Sequence, residues 1–263
     1  FVYQKYRYME PTVHRYFLYL SYNGTAYCGW QIQPNGNSIQ EELTKALSTI
    51  LRIPIEVVGA GRTDTGVHAK RMIAHFDAPI KIENSTKFVT NLNSFLPADI
   101  AVEKIELVNN HSHARFDALS RKYEYHVITH KSPFHNNLAA RISFPLDFDK
   151  MNEAAELLFE YEDFTSFSKL HTDVKTNNCK LMHARWEAVG DEWIFTIEAN
   201  RFLRNMVRAI VGTLFEVGKG TLSLDDFRAV IEAKDRCKAG HSVPACGLYL
   251  VDVTYPSFVF SVE

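Results

Sequence analysis

Apolar and aromatic positions dominate residues 15–22, and the turn pair Asn23-Gly24 closes the run, which predicts a first β-strand. Ser38-Ile39-Gln40-Glu41 has the form of a capping box. Ile39, Leu43, Ala46, Leu47, Ile50 and Leu51 then recur at helical spacing, so a core-facing helix is expected to end before Pro54. Residues 55–58 and 72–76 read as strands on either side of a glycine-rich loop. A second helix is expected around residues 85–96, with Phe88, Leu92, Phe95 and Leu96 on one face and Pro97 as its stop. A strand at 100–108 follows.

The second half opens on residues 120–127. Alternation there puts Arg121, Tyr123, Tyr125 and Val127 on one face and Lys122, Glu124 and His126 on the other. Asp149 can cap a helix through Met151, Ala154, Ala155, Leu158 and Phe159. A polar, aromatic loop begins at residues 164–169, and two strands fit between 180 and 197. Over 202–217, Leu203, Met206, Val207, Ile210, Val211, Leu214 and Phe215 repeat at helical spacing, with Gly218 as C-terminal cap. Arg201, Arg204 and Arg208 fall at i, i+3 and i+7 beside that apolar face. Either they form a solvated basic face, or Arg208, flanked by Val207 and Ile210, needs an anionic partner. A capped helix after Ser223 and a strand at 247–253 complete the chain. The parallel strand and helix content predicts an α+β protein of two similar halves, 15–110 and 111–263, behind a tail at 1–14, with the active site in the cleft between them.

Composition narrows the function. Of 263 residues, 29 are Lys or Arg and 31 are Asp or Glu, a net charge of −2, so the chain does not coat nucleic acid by bulk charge and any RNA contact must come from clustered basic residues. Cys28, Cys179, Cys237 and Cys246 contain no CxxC pair, and the histidines form no HExxH. Reduced thiols in a cytoplasmic protein without a metal site are therefore expected. His111, His113, His130 and His135 read as solvated loop residues. No apolar run reaches the roughly 18 residues of a membrane span, and residues 1–14 lack the apolar core of a signal peptide.

The densest chemistry lies in the loop at 59–69. Three glycines bracket Asp64, with Arg62, Thr63 and His68 close by. No Gly-Lys-Ser/Thr follows, so the loop is not a phosphate cradle. A plain Gly/Asp turn and a site built on an ionised aspartate both remain. In the second case Arg62, or a cation from elsewhere in the fold, would hold Asp64 deprotonated, and Arg208 is the proposed partner.

Gly61-Arg62-Thr63-Asp64-Thr65-Gly66-Val67-His68-Ala69 resembles the signature of the TruA family of tRNA pseudouridine synthases, in which the aspartate attacks the target uridine. The resemblance implies that Asp64 is the catalytic nucleophile. Three further stretches are similar to motifs of the same family and occur in the same order. Residues 22–31 match a first motif near the bound RNA, which brings in Gln31. Arg121-Lys122-Tyr123 matches a motif whose tyrosine stacks on the extracted base, implying that role for Tyr123. Residues 200–208 match a motif whose last arginine pairs with the catalytic aspartate, implying that role for Arg208. In the last strand the leucine after glycine, here Leu248, packs near the target uracil. Arg62, Arg121 and Arg204 are expected at phosphates and the displaced strand.

The resemblance covers about residues 15–256. It implies an α+β fold with a mostly antiparallel sheet in each half and helices on one side. It also implies isomerisation of uridine at positions 38, 39 and 40 of the tRNA anticodon stem-loop, no cofactor or metal, and a homodimer with one tRNA across both subunits. Two other readings of the chain are a non-catalytic tRNA-binding or folding module and a pseudouridine synthase with other RNA targets.

Overall fold

The computed structural model describes residues 13–169 and 175–262, and most of the expected tail lies outside them. The apolar run behind that tail becomes β1 (His14–Tyr22), followed by α1 (Ile39–Leu51), β2 (Val58–Gly59), β3 (His68–Ala78), α2 (Ser85–Phe95) and β4 (Ile100–Leu107). The second half contains β5 (Ser120–Ile128), β6 (Ala140–Arg141), α3 (Phe148–Leu157), β7 (Leu181–Val189), β8 (Glu192–Ala199), α4 (Met206–Gly218), α5 (Leu224–Glu232) and β9 (Leu248–Thr254).

These strands form one sheet in the order β4-β1-β3-β9-β5-β8-β7, with β2 on β3 and β6 on β5. In each half the first strand is central and antiparallel to both neighbours. β1 lies between β4 and β3, and β5 lies between β9 and β8. The halves meet in a short parallel pairing of β3 with β9, His68 opposite Tyr249 and Ala69 opposite Leu250. The glycine-rich loop therefore runs straight into the seam of a continuous sheet.

Two apolar cores lie against this sheet. One joins β1, β3, β4, α1 and α2. The other joins β5, β7, β8 and helices α3, α4 and α5, with Trp186, Phe195 and Phe227 buried at its centre. Exchange between them ties the halves together, because Leu250, Val253 and Val259 enter the first core and Val67 enters the second. Among the described residues no helix is long and apolar enough to cross a membrane.

Several local expectations change. α4 starts at Met206, because Asn205 adopts a left-handed conformation (φ 66°) that cannot continue a helix, while the backbone oxygens of Leu203 and Arg204 accept from Met206 and Lys169. Arg201 and Arg204 thus sit in a loop and share no helical stripe with Arg208. Gly218 is the last residue of α4, and the left-handed glycine is Gly220 (φ 80°). Asp147 caps α3 by accepting from Lys150 N–H at 3.0 Å, which leaves Asp149 in the first turn. Ser38 caps α1 by accepting from Glu41 N–H at 3.2 Å. Phe95 and Phe159 are exposed, while Phe164 and Phe167 of the loop at 164–169 are fully buried in the second core.

Candidate active site

The loop between β2 and β3 is held from three directions. Val67 N–H donates to Asp64 O at 3.1 Å, closing a tight turn in which Gly66 takes φ 80°. Thr63 Oγ1 and Tyr22 Oη share a buried hydrogen bond of 2.8 Å. His68 is buried. Its Nδ1 accepts from Gly24 N–H at 2.9 Å, so Nε2 carries the proton and donates to Asn137 O at 2.9 Å and Cys246 O at 3.1 Å. Burial pushes the His68 pKa below its ordinary value, in keeping with this neutral tautomer.

The glycine at position 29 explains the proximity of the first motif. It adopts φ 91°, and a Cβ there would lie 2.5 Å from Thr63 O and 3.2 Å from the Asp64 carbonyl carbon. Only a residue without a side chain lets residues 27–31 lie directly against the loop, where Trp30 N–H donates to Thr63 O at 3.1 Å. Trp30 itself is a buried core residue packed over Gly59.

Two guanidinium groups approach the Asp64 carboxylate. Arg208 Nη1 lies 3.7 Å from Oδ2 and Arg204 Nε lies 3.9 Å from Oδ1, ion-pair distances longer than hydrogen bonds. Arg208 is aimed from behind, because its Nε–H donates to Val243 O at 2.8 Å while Val243 N–H donates to Arg208 O at 3.2 Å. Gly212 permits that contact, since a Cβ there would fall 1.7 Å from His241 O. Asn205 turns the chain ahead of α4 and donates from Nδ2 to Ser242 Oγ at 2.5 Å.

Tyr123 is half-buried on the helix-covered face of β5 and meets Phe202 edge-on at 5.2 Å. Burial pushes its phenol up to about 12; Arg121 opposes the shift and Asp64 adds to it. The phenol therefore stays protonated near neutral pH. Leu248 is buried on the same face, opposite Tyr125, whose hydroxyl donates to Pro244 O at 2.8 Å. The sequence places Phe202 at the start of a predicted helix; in the structure it lies in the loop before α4, where it meets Tyr123.

The other expected residues stand differently. Arg62 is exposed, and the cations at Asp64 among the described residues are Arg204 and Arg208. Gln31 is also exposed. All four Nη hydrogens of Arg121 are used within the protein. Nη1 donates to Ala118 O at 3.2 Å and Asn200 O at 3.0 Å, and Nη2 to Ala60 O at 2.9 Å and Arg115 O at 2.5 Å. Of the loop histidines expected to be solvated, His113 is half-buried beside His75, and His135 lies 2.8 Å from Glu192 Oε1. Among the described residues no cluster of His, Cys, Asp and Glu is suited to a metal ion, and the four cysteines are free. A cavity of about 300 Å³ lined by Tyr22, His68, Lys70, Asp99 and Tyr249 does not include Asp64, whose carboxylate remains one-third exposed.

A carboxylate on a hydrogen-bonded loop, with two arginines and a protonated phenol nearby, can attack or deprotonate a bound electrophile. The model of a family described as tRNA pseudouridine synthase matches residues 19–117 and 154–256. Two proteins named tRNA pseudouridine synthase A are 60% identical to the chain. The one from Parabacteroides distasonis aligns over 95% of this chain and 100% of its own length. The one from Bacteroides fragilis covers 95% and 99%. A third protein of that name, from Exiguobacterium, is 39% identical over 92% of this chain and 98% of its own.

Proposed function

Because the chain belongs to the tRNA pseudouridine synthase family, we propose that it isomerises uridine to pseudouridine at positions 38, 39 and 40 of the tRNA anticodon stem-loop, with Asp64 as the nucleophile. The observation that carries this reading is the Asp64 carboxylate between Arg204 and Arg208, at 3.9 and 3.7 Å, on a loop whose turn is closed by Val67 N–H to Asp64 O. Positions 38 to 40 follow from the resemblance of the motifs.

A uridine in a stem must first leave its stack, at a cost of a few kcal/mol. Tyr123 supplies a ring face for the extracted base, and Leu248 keeps water from one wall of the pocket. In the nucleophilic route a carboxylate oxygen of Asp64 bonds to C1′ as the N1–C1′ bond breaks and uracil leaves as an anion. The uracil turns, C5 bonds to C1′ as the carboxylate departs, the C5 proton passes to solvent and N1 takes one up. In the alternative, Asp64 removes the C2′ proton as the N1–C1′ bond breaks and uracil leaves as an anion, giving a glycal. After the uracil turns, C5 bonds to C1′ while C2′ regains its proton, the C5 proton passes to solvent and N1 takes one up. Arg204 and Arg208 are the cations at ion-pair distance from Asp64 in either route. Arg62 and Arg204, exposed beside the loop, are assigned to phosphates, and the active form is a homodimer.

Tritium release from tRNA labelled at uridine C5 tests the reading, with wild type compared to Asp64→Ala and the modified positions mapped on the product. Release by wild type alone, at 38 to 40, is expected. Release by Asp64→Ala at the wild-type rate refutes the role of Asp64. Tight tRNA binding without release by either protein would favour a binding module, and modification elsewhere would move the target. A primary isotope effect with 2′-deuterated uridine would mark the glycal route.

A further inference from the structure

A short turn at 113–117, between β4 and β5, stands beside the loop of Asp64. Phe116 at its tip is 74% exposed, and Arg115 is exposed as well. A single exposed aromatic needs no explanation by itself. This one is built into place. His113 Nδ1 accepts from the N–H groups of both Arg115 (3.1 Å) and Phe116 (3.3 Å), His113 N–H donates to Asp117 Oδ2 at 2.6 Å, and Asp117 N–H donates back to His113 O at 3.0 Å. The Phe116 ring rests on the His113 imidazole at 4.2 Å, and that imidazole meets the buried His75 edge-on at 4.7 Å. One ring is thus backed by another and leaves most of its surface to solvent.

Its position follows from Arg121, whose Nη2 donates to both Arg115 O and Ala60 O. The backbone of the turn and the start of the Asp64 loop are therefore within the span of one nitrogen. The Arg115 guanidinium lies 5.8 Å from the Phe116 ring centre, and Arg115 and Arg201 both act on Arg121 below the turn, while the Asp117 carboxylate is taken up by His113 N–H. An exposed ring held on an imidazole with one guanidinium beside it fits a nucleobase and its phosphate better than an apolar protein surface.

We propose that the Arg115-Phe116 turn is a second contact for the tRNA substrate, in which Phe116 stacks on a base left unpaired or unstacked when the target uridine leaves the stem and Arg115 takes a neighbouring phosphate. The inference rests on the tRNA reading of the Asp64 site. Stacking on an aromatic side chain contributes about 1–3 kcal/mol per base, which corresponds to roughly 5- to 150-fold in affinity.

The experiment measures tRNA affinity across a salt series and single-turnover tritium release for wild type, Phe116→Ala, Phe116→Leu, Phe116→Trp and Arg115→Gln, with melting temperatures recorded for all. Phe116→Ala and Phe116→Leu are expected to lose roughly 5- to 150-fold in affinity or in rate at subsaturating tRNA, with an unchanged salt slope, and Phe116→Trp to retain function. Leucine keeps apolar packing on His113 and lacks a stacking face, so its loss separates stacking from folding. Arg115→Gln is expected to lower the salt slope by about one. Wild-type behaviour of Phe116→Leu overturns the proposal. If wild type releases no tritium, the reading of the Asp64 site fails, and an unchanged tRNA affinity of Phe116→Leu would still refute the contact separately.

Discussion

Replacing Arg121 by methionine keeps most of the side-chain length and removes four donated hydrogen bonds at once. Two acceptors, Arg115 O and Asn200 O, are at exposed sites and regain water. The other two, Ala60 O and Ala118 O, are part-buried and do so poorly. A hydrogen bond from a charged donor contributes roughly 1.5 kcal/mol net, so the two sheltered bonds set a loss of about 3 kcal/mol. For a chain of this size that is a fall of about 6–12 °C in melting temperature. The bond to Ala60 O anchors the segment leading into Asp64, so single-turnover tritium release should also slow. tRNA affinity should keep its salt slope, because Arg121 has no Nη hydrogen left for a phosphate. Lysine, with one nitrogen, cannot span four carbonyls and should not rescue. Calorimetry, a salt series of tRNA binding and single-turnover rates check the argument. An unchanged melting temperature with a salt slope reduced by about one would refute it and make Arg121 a phosphate ligand.

Gly29→Ala should destabilise the protein by about 1–3 kcal/mol and abolish release, given φ 91° and the 2.5 Å approach to Thr63 O, whereas Gly61→Ala meets nothing within 4 Å and should retain its stability. Urea melts of both variants provide the check. Arg208→Ala should lose activity and stability together, since the bond to Val243 O and the charge at Asp64 vanish; full turnover at unchanged stability would count against the pair. Burial lowers the His75 pKa from 6.5 to about 4, so between those values the unfolded chain holds a proton that the folded one does not. Stability should therefore rise with pH across that window and level off above it. The contribution of His75 is about 3 kcal/mol at 1.36 kcal/mol per unit. His75→Gln should flatten the slope by up to one proton, as read from urea melts at pH 4.5 and 7. His68 and His113, also lowered by burial, act in the same direction and keep the residual slope.

Local chemistry made much of this molecule legible. The Ser38 cap, the helical repeat from Ile39 to Leu51 and the β5 alternation all depend on residues close in the chain, and the structure has them where the pattern puts them. The α4 boundary was not legible from hydrophobicity, because Leu203 is buried from a loop and so mimics one more helical turn. Asn205, which tolerates the left-handed conformation, was the available signal. Arg121 shows a second limit. Its type and strand position fit phosphate binding, yet carbonyls 3, 6, 61 and 79 residues away occupy its hydrogens.

By itself the sequence determined the periodic elements, the α+β class and the loop that carries Asp64, since propensity, capping and glycine conformation act over a few residues. The sequence already pointed to Arg208 as a partner for Asp64; tertiary structure decided that, among the described residues, Arg204 and not Arg62 is the second cation there, and set the geometry of both. The β3–β9 seam brings position 69 beside position 250, the close packing at Gly212 aims Arg208, and the turn at Asn205 presents Arg204. Electrostatic pairing depends on distance in space, and these distances are set by the packing of elements far apart in the chain.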